Sequence, residues 1–316
     1  EVPALSSSVY RIVPAAPAAK AKKSPAAPVS MIGGNVLDNG LVRVAVDPAK
    51  GTIRSLKAAG ADYEYAAGEG LNDYIYSGRI AADPRGIDRV TRVEVLGAHA
   101  AHAAATLPIV SEAPGCNALW RDVTVYRGLG RVDIRNTVDK QDILEHESVR
   151  FVFPFNFAHP EITMDLAMSE MHPEREQLAG VNKHYYSLLN GMAVGDLEHA
   201  VCLTTLDAPF VELGTPSGED YRLNPRHGYG WWPSAQISPV VYSWVMNNTW
   251  RTNYKASQGG VASFRYSLQI CDPFDLKLKQ RGAEREQPLI AVESGRAEPV
   301  GRLFSLEGRQ RIGGGG

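Results

Sequence analysis

The feature that most constrains this chain is a hydrophobic period of two, repeated in run after run. Residues 39–58, "NGLVRVAVDPAKGTIRSLKA", set Val42, Val44 and Val46 against Leu41, Arg43 and Ala45, then turn through "DPAKG". Pro48 suits an early turn position and Gly51 a positive φ, so the run predicts a hairpin. Residues 119–139 repeat the design, with Val123 and Val125 predicted opposite Val132 and Ile134 across "RGLG". "SVRFVFPFNF" places Val149, Phe151, Phe153, Phe155 and Phe157 on one face, with Pro154 on the other parity marking an edge or bulge. "VASFRYSLQI" sets Phe264, Tyr266, Leu268 and Ile270 against Ser263, Arg265, Ser267 and Gln269. Each run reads as a strand with one buried and one wetter face.

Helical periodicity is poor. Residues 98–106 are the best local helix formers, but the stretch is short and interrupted by His99 and His102. Thirty glycines and twenty prolines punctuate many short strands, which predicts an all-β fold, a large antiparallel sandwich. No repeat of 20–50 residues is visible, which counts against a propeller. Three regions are expected: an Ala/Pro/Lys-rich linker over 1–30, a β domain over 31–280, and a C-terminal extension with a Gly tail over 281–316. The chain starts at Glu1 rather than Met, so it is expected to be trimmed, processed or a fragment, with something before the linker.

A formal net charge of −2 argues against a general binder of nucleic acid or anionic membrane. No segment has the apolar length of a membrane span. Cys116, Cys202 and Cys271 form no C-x-x-C pair, and the latter two lie in apolar strand-like runs, so buried inert thiols are expected.

Chemistry is hard to find. There is no H-E-x-x-H and no H-x-D, and His99 with His102 lacks a neighbouring carboxylate to complete a metal site. There is no G-x-S-x-G elbow and no phosphate-binding loop. Asp139, Asp142, Glu145 and Glu147 crowd between two predicted strands. Paired carboxylates serve glycoside hydrolysis, but a run like this usually forms a solvated connection. Two aromatic stretches remain. Tyr229, Trp231 and Trp232 sit among glycines in "HGYGWWPSAQ", where they either stack on pyranose rings or plug a gap between sheets. "YSWVMNNTWRTN" carries Asn247, Asn248, Trp250 and Asn253, amides and an indole suited to a sugar rim, a polar contact or a braced turn.

Five strings taken together, "NGLVRVAVDPAKGTIRSL", "GLNDYIY", "NTVDKQDILEHESVRFVFPF", "LTTLDAPFVELG" and "YSWVMNNTWRTNYKASQGG" followed by "FRYSL", resemble the C-terminal β domain of glycoside hydrolase family 38, the retaining α-mannosidases, in its bacterial branch. The resemblance covers about residues 36 to 272. It implies a β-supersandwich similar to galactose mutarotase, packed on an N-terminal catalytic domain that holds zinc and the catalytic aspartates. This chain lacks H-x-D, so the resemblance implies a noncatalytic domain with no cofactor of its own, with the catalytic domain as partner and mannosides as the whole enzyme's carbohydrate. It implies that Asn247, Asn248, Trp250 and Asn253 lie at the substrate cleft or the interdomain contact. The alternatives are a stand-alone carbohydrate-binding module using Tyr229, Trp231 and Trp232, or a mutarotase-type epimerase using His184 beside Tyr185 and Tyr186. Either a cytoplasmic or an exported bacterial protein fits.

Overall fold

The computed structural model describes residues 29–78, 88–97, 99–101, 103–216, 232–248 and 255–286. All of these but Glu286 belong to one compact unit spanning 26–285. In chain order the strands are β1 (Ser30–Ile32), β2 (Val36–Asp38), β3 (Val42–Val46), β4 (Ile53–Ala58), β5 (Asp73–Gly78), β6 (Arg92–Val95), β7 (His99–Ala100), β8 (Ala104–Glu112), β9 (Cys116–Tyr126) and β10 (Arg131–Lys140). They continue with β11 (Glu147–Pro154), β12 (Glu161–Leu166), β13 (Ser169–Met171), β14 (Tyr186–Ser187), β15 (Gly191–Gly195), β16 (Ala200–Thr205), β17 (Phe210–Leu213), β18 (Val240–Asn247) and β19 (Gly260–Cys271), before the helix α1 (Leu278–Glu286).

Every paired strand is antiparallel to its neighbour. A four-stranded sheet runs β1-β2-β3-β4. A ten-stranded sheet runs β13-β12-β15-β16-β19-β10-β9-β8-β6, with β7 beside β8. A five-stranded sheet runs β14-β17-β18-β11-β5. The inner faces of all three share one core, to which Val44, Ile53, Leu107, Val123, Ile134, Phe151, Phe153, Leu203, Val241 and Tyr266 contribute. Among the described residues no helix is long and apolar enough to cross a membrane.

Both predicted hairpins form, and the second takes the predicted register. Val125 lies opposite Val132 and Val123 opposite Ile134. Gly51 closes the β3–β4 turn at a φ of 67°. The buried Arg121 guanidinium occupies the space a side chain there would need, and donates from Nη2 to the Lys50 carbonyl and to Ser111 Oγ. Burial pulls the Arg121 pKa down to about 10. The Val149–Phe157 face is core throughout. Pro154 sits at the end of β11, while the bulge against β18 falls between Val149 and Arg150.

One expectation changes, and the alanine-rich stretch takes strand rather than helix at residues 99–100 and 104–106. His99 pairs with Thr106 and Ala100 with Ala105, as a small hairpin at one margin of the ten-stranded sheet. Alanine's helical preference is a fraction of a kcal/mol per residue, and ladder bonds plus burial of Ala105 and Leu107 outweigh it. The face of β19 expected to be wet is covered in part. Ser267 is fully buried and donates to Asp133 Oδ1 at 2.7 Å. Helix α1 lies on that side, tied by Lys279 to Asp165 at 2.5 Å and by Arg285 to Asp133 at 3.2 Å. It straddles the expected boundary at residue 280. The linker expected over 1–30 lies, save for its last two residues, outside the described residues, as does the Gly tail.

Polar pairs stitch the layers. Asn72, just before β5, and Asn136 of β10 exchange two amide hydrogen bonds of 2.9 and 2.7 Å. Ser243 of β18 and Tyr266 of β19 meet hydroxyl to hydroxyl at 2.9 Å.

Candidate functional site at the open end of the sandwich

The flanks of the 247–253 segment converge with the acidic run. Asn248 is fully buried. Its Oδ1 accepts from the Glu147 N–H at 2.6 Å, and its Nδ2 donates to the carbonyls of Ile143 at 3.0 Å and Glu145 at 2.7 Å. Its own N–H reaches the Glu147 carbonyl at 3.0 Å. One amide thus brackets the whole 143–147 connection. Both hydrogen-bonding ends of the side chain are spent inside the domain. Asn247 is half-buried at the end of β18, opposite Ser148. Trp250 and Asn253 lie outside the described residues.

The acidic run divides. Asp142 and Glu145 are exposed and Asp139 is half-buried, as a solvated connection requires. Glu147 is buried, with Lys140 Nζ 2.6 Å from Oε1 and the Tyr76 hydroxyl donating to Oε2 at 2.7 Å. Burial, then the bond to Glu147 and its charge, raise the Tyr76 pKa well above the ordinary tyrosine range. Both oxygens of Glu147 are therefore engaged in holding structure.

Beside this bracket the two large sheets part. Val138, Lys140, Val149, Val245, Met246, Lys255, Ala262 and Phe264 are among the residues lining a cavity of about 290 Å³ between them. The same end carries a strand edge that is open among the described residues. β19 pairs with β10 along nearly its whole length, from Gly260 opposite Lys140 to Gln269 opposite Arg131. On its other side β16 stops at Thr205, opposite Tyr266. Asp207 then takes over, receiving the Arg265 N–H at 2.9 Å and the guanidinium at 2.8 Å. Past that cap, residues 260–264 have no strand partner on that side among the described residues. Arg265 points its N–H and C=O away from β10, toward Asp207 and Leu206. Antiparallel strands alternate this direction residue by residue, so Ser263 and Val261 present theirs to the open side as well. Val261 is 71% exposed.

The aromatic stretch at 229–232 is described only at Trp232. Its indole meets the His184 ring edge-on at 4.7 Å, and the Trp232 backbone N–H donates to His184 Nε2 at 3.0 Å. Next to it, Glu174 binds Lys183 at 2.8 Å and the Ala235 N–H at 2.6 Å, while Lys183 reaches the Pro233 carbonyl. Trp232 is part of a knot that fastens residues 232–235 to residues 174–184. Tyr229 and Trp231 lie outside the described residues. His184 is buried and its Nε2 already accepts a hydrogen bond, so that nitrogen is not positioned to take a sugar proton. Among the described residues no group of three or more His, Cys, Asp or Glu side chains could hold a metal ion. His102 falls outside them.

The open edge and the cavity were not foreseen. The signal was available in strand lengths: "AVCLTT" gives six residues of β16 and "GVASFRYSLQIC" twelve of β19, so one must overhang. The buried Arg150–Glu212 pair across β11 and β17, at 2.5 Å with Arg150 also 4.8 Å over the Trp244 ring, carried no local motif.

These features define a class: an all-antiparallel β-supersandwich. No family model matches the sequence, and no curated protein matches it. Solved structures do match in fold. An alpha-mannosidase from Enterococcus faecalis V583 superposes with a TM-score of 0.63 at 12% identity, covering 85% of this chain and 33% of that one. A glycosyl hydrolase family 38 protein from Enterococcus faecalis gives 0.63 at 12% identity, covering 89% of this chain and 35% of its own. A galactose mutarotase-like protein from Lactobacillus casei ATCC 334 aligns more loosely, at 0.42 and 11% identity over 75% of this chain and 99% of that one. This chain thus spans about a third of the two enterococcal proteins, and at such identity the likeness is one of fold.

Proposed function

We propose that this chain is the β domain of an α-mannosidase-type glycoside hydrolase, retaining and zinc-dependent as a whole enzyme, and that it packs on a catalytic domain and completes the cleft for mannosides. The observation that carries this reading is the superposition on two family 38 structures over 85% and 89% of the chain. The open end supports it, because it offers a surface suited to a partner. An extended segment of the catalytic domain adds a strand along residues 260–264, places an apolar side chain in the cavity, and sets a carboxylate near Lys255 on its rim. In this reading Asn248 acts by bracing the 143–147 connection beside the docking surface rather than by touching sugar.

An antibody to this domain tests the main claim in the native host. The reading expects a polypeptide, or a tight complex, well above 34.3 kDa that hydrolyses aryl α-mannosides. A 34 kDa species free of any mannosidase would overturn it. Ser263→Pro tests the docking surface, because it removes an N–H directed at the open side while sparing the ladder to β10. The expected result is a domain that folds yet releases its partner. Unchanged association would sink the strand-addition idea. A glycan array separates the sugar-module alternative: mannoside binding by the isolated chain would favour that module.

A further inference from the structure

We propose that Cys202 and Cys271 form a reversible disulfide beneath helix α1, a thiol modification site that ties the fifth strand of the large sheet to its neighbour. The two residues lie on adjacent antiparallel strands, two positions apart in register: Cys202 is opposite Gln269, and Cys271 opposite Ala200. Both project to the outer face, away from the core that holds Val201 and Leu203. Their Sγ atoms are 2.7 Å apart, closer than two thiols rest without bonding. The pair sits under a roof: Cys202 packs with Ala193 and Leu278 of the helix, and its thiol points at the Leu276 carbonyl 3.5 Å away. The two sulfurs differ in access. Cys202 is 1% exposed, whereas Cys271 is only partly covered. Cys116 stands apart, buried against the Tyr74 hydroxyl at 3.1 Å.

The asymmetry orders the chemistry. The Cys271 thiol is the more acidic of the two, because its contact with the Cys202 sulfur and the charge of Arg281 favour its thiolate, while that same contact and burial keep Cys202 protonated. Thiolates, not thiols, attack disulfides. With a low-molecular-weight disulfide such as oxidised glutathione, the Cys271 thiolate attacks one sulfur and expels one glutathione thiolate. Cys202 then gives up its proton, attacks Cys271 Sγ and expels the second. Two protein thiols are oxidised to one disulfide, and one glutathione disulfide is reduced to two thiols. A dithiol reverses the exchange.

The test is thiol titration of the full chain in denaturant, after incubation of the folded protein with oxidised glutathione and quenching in acid. The expected count falls from three thiols to one, the mass falls by two hydrogens, and peptide mapping joins the 202 and 271 peptides. The thermal midpoint of the oxidised form rises by about 5–10 °C and returns with dithiothreitol. Cys116→Ser responds fully, and Cys271→Ser gives no bridge. Three titratable thiols in the treated wild type, or a lasting glutathione adduct on Cys271 with Cys202 still free, would overturn the proposal without any variant needing to fold.

Discussion

At the scale of single residues, the bracket at Asn248 has a definite cost. Replacing it with alanine strands one buried N–H and two carbonyls, at Glu147, Ile143 and Glu145. Leaving buried polar groups unsatisfied costs about 1–3 kcal/mol, so Asn248→Ala is expected to lower the urea midpoint of the isolated domain. An unchanged midpoint would show that water or a shifted backbone replaces the amide. Phe153 is fully buried and meets the Tyr266 ring at 5.1 Å between centroids. Phe153→Ala removes that ring and leaves a cavity, with an expected loss of about 3–5 kcal/mol in denaturant unfolding. The Phe153 face was legible in the sequence because alternation reports on the burial of side chains. The work of Asn248 was only half legible: an amide-rich turn can be seen in a string, but whether its amides face inward depends on residues a hundred positions earlier. The Cys202–Cys271 contact was illegible for the same reason, since neither the spacing nor the neighbours of either cysteine specify a shared face.

At the scale of elements, the hairpins came through because turn chemistry and period agree locally, as in β3–β4 and β9–β10. Helix α1 did not, because its sequence is polar and it is held by ion pairs to distant strands rather than by an apolar stripe. The sheet order was equally hidden, since β16 and β19 are joined by nothing local. The cap at the end of their pairing is sensitive to acid. Hydrogen bonding from the Arg265 side chain, then its backbone N–H, holds the Asp207 carboxyl below its ordinary range. A depressed carboxyl contributes stability that is present above the unfolded aspartate pKa, about 4, and is lost as the pH falls through the folded value. Asp207→Asn is therefore expected to be less stable than wild type at pH 7, with the gap narrowing toward pH 3. Parallel urea curves at the two values check this; a constant gap would mean that the asparagine fails for packing reasons instead.

At the scale of the whole molecule, the isolated chain is expected to show no turnover of an aryl α-mannoside and no stoichiometric zinc, because in the proposed reading both belong to the partner domain. Elemental analysis with an activity assay on the same sample checks this, and one tightly held zinc accompanied by hydrolysis would reverse the reading. The strand order also sets a schedule for synthesis. β19 is formed by residues 260–271, yet it lies between β10 and β16 in the middle of the ten-stranded sheet. A chain leaving the ribosome can build β8-β9-β10 early and β12-β15-β16 later, but the two halves stay unjoined until β19 emerges. Until then β10 and β16 each present a bare edge, the kind of surface that captures other strands. Nascent chains stopped before residue 260 are expected to remain open to protease and prone to association. Those extended past residue 271 should become resistant in one step, so that the last long strand acts as the keystone of a vault assembled from both sides.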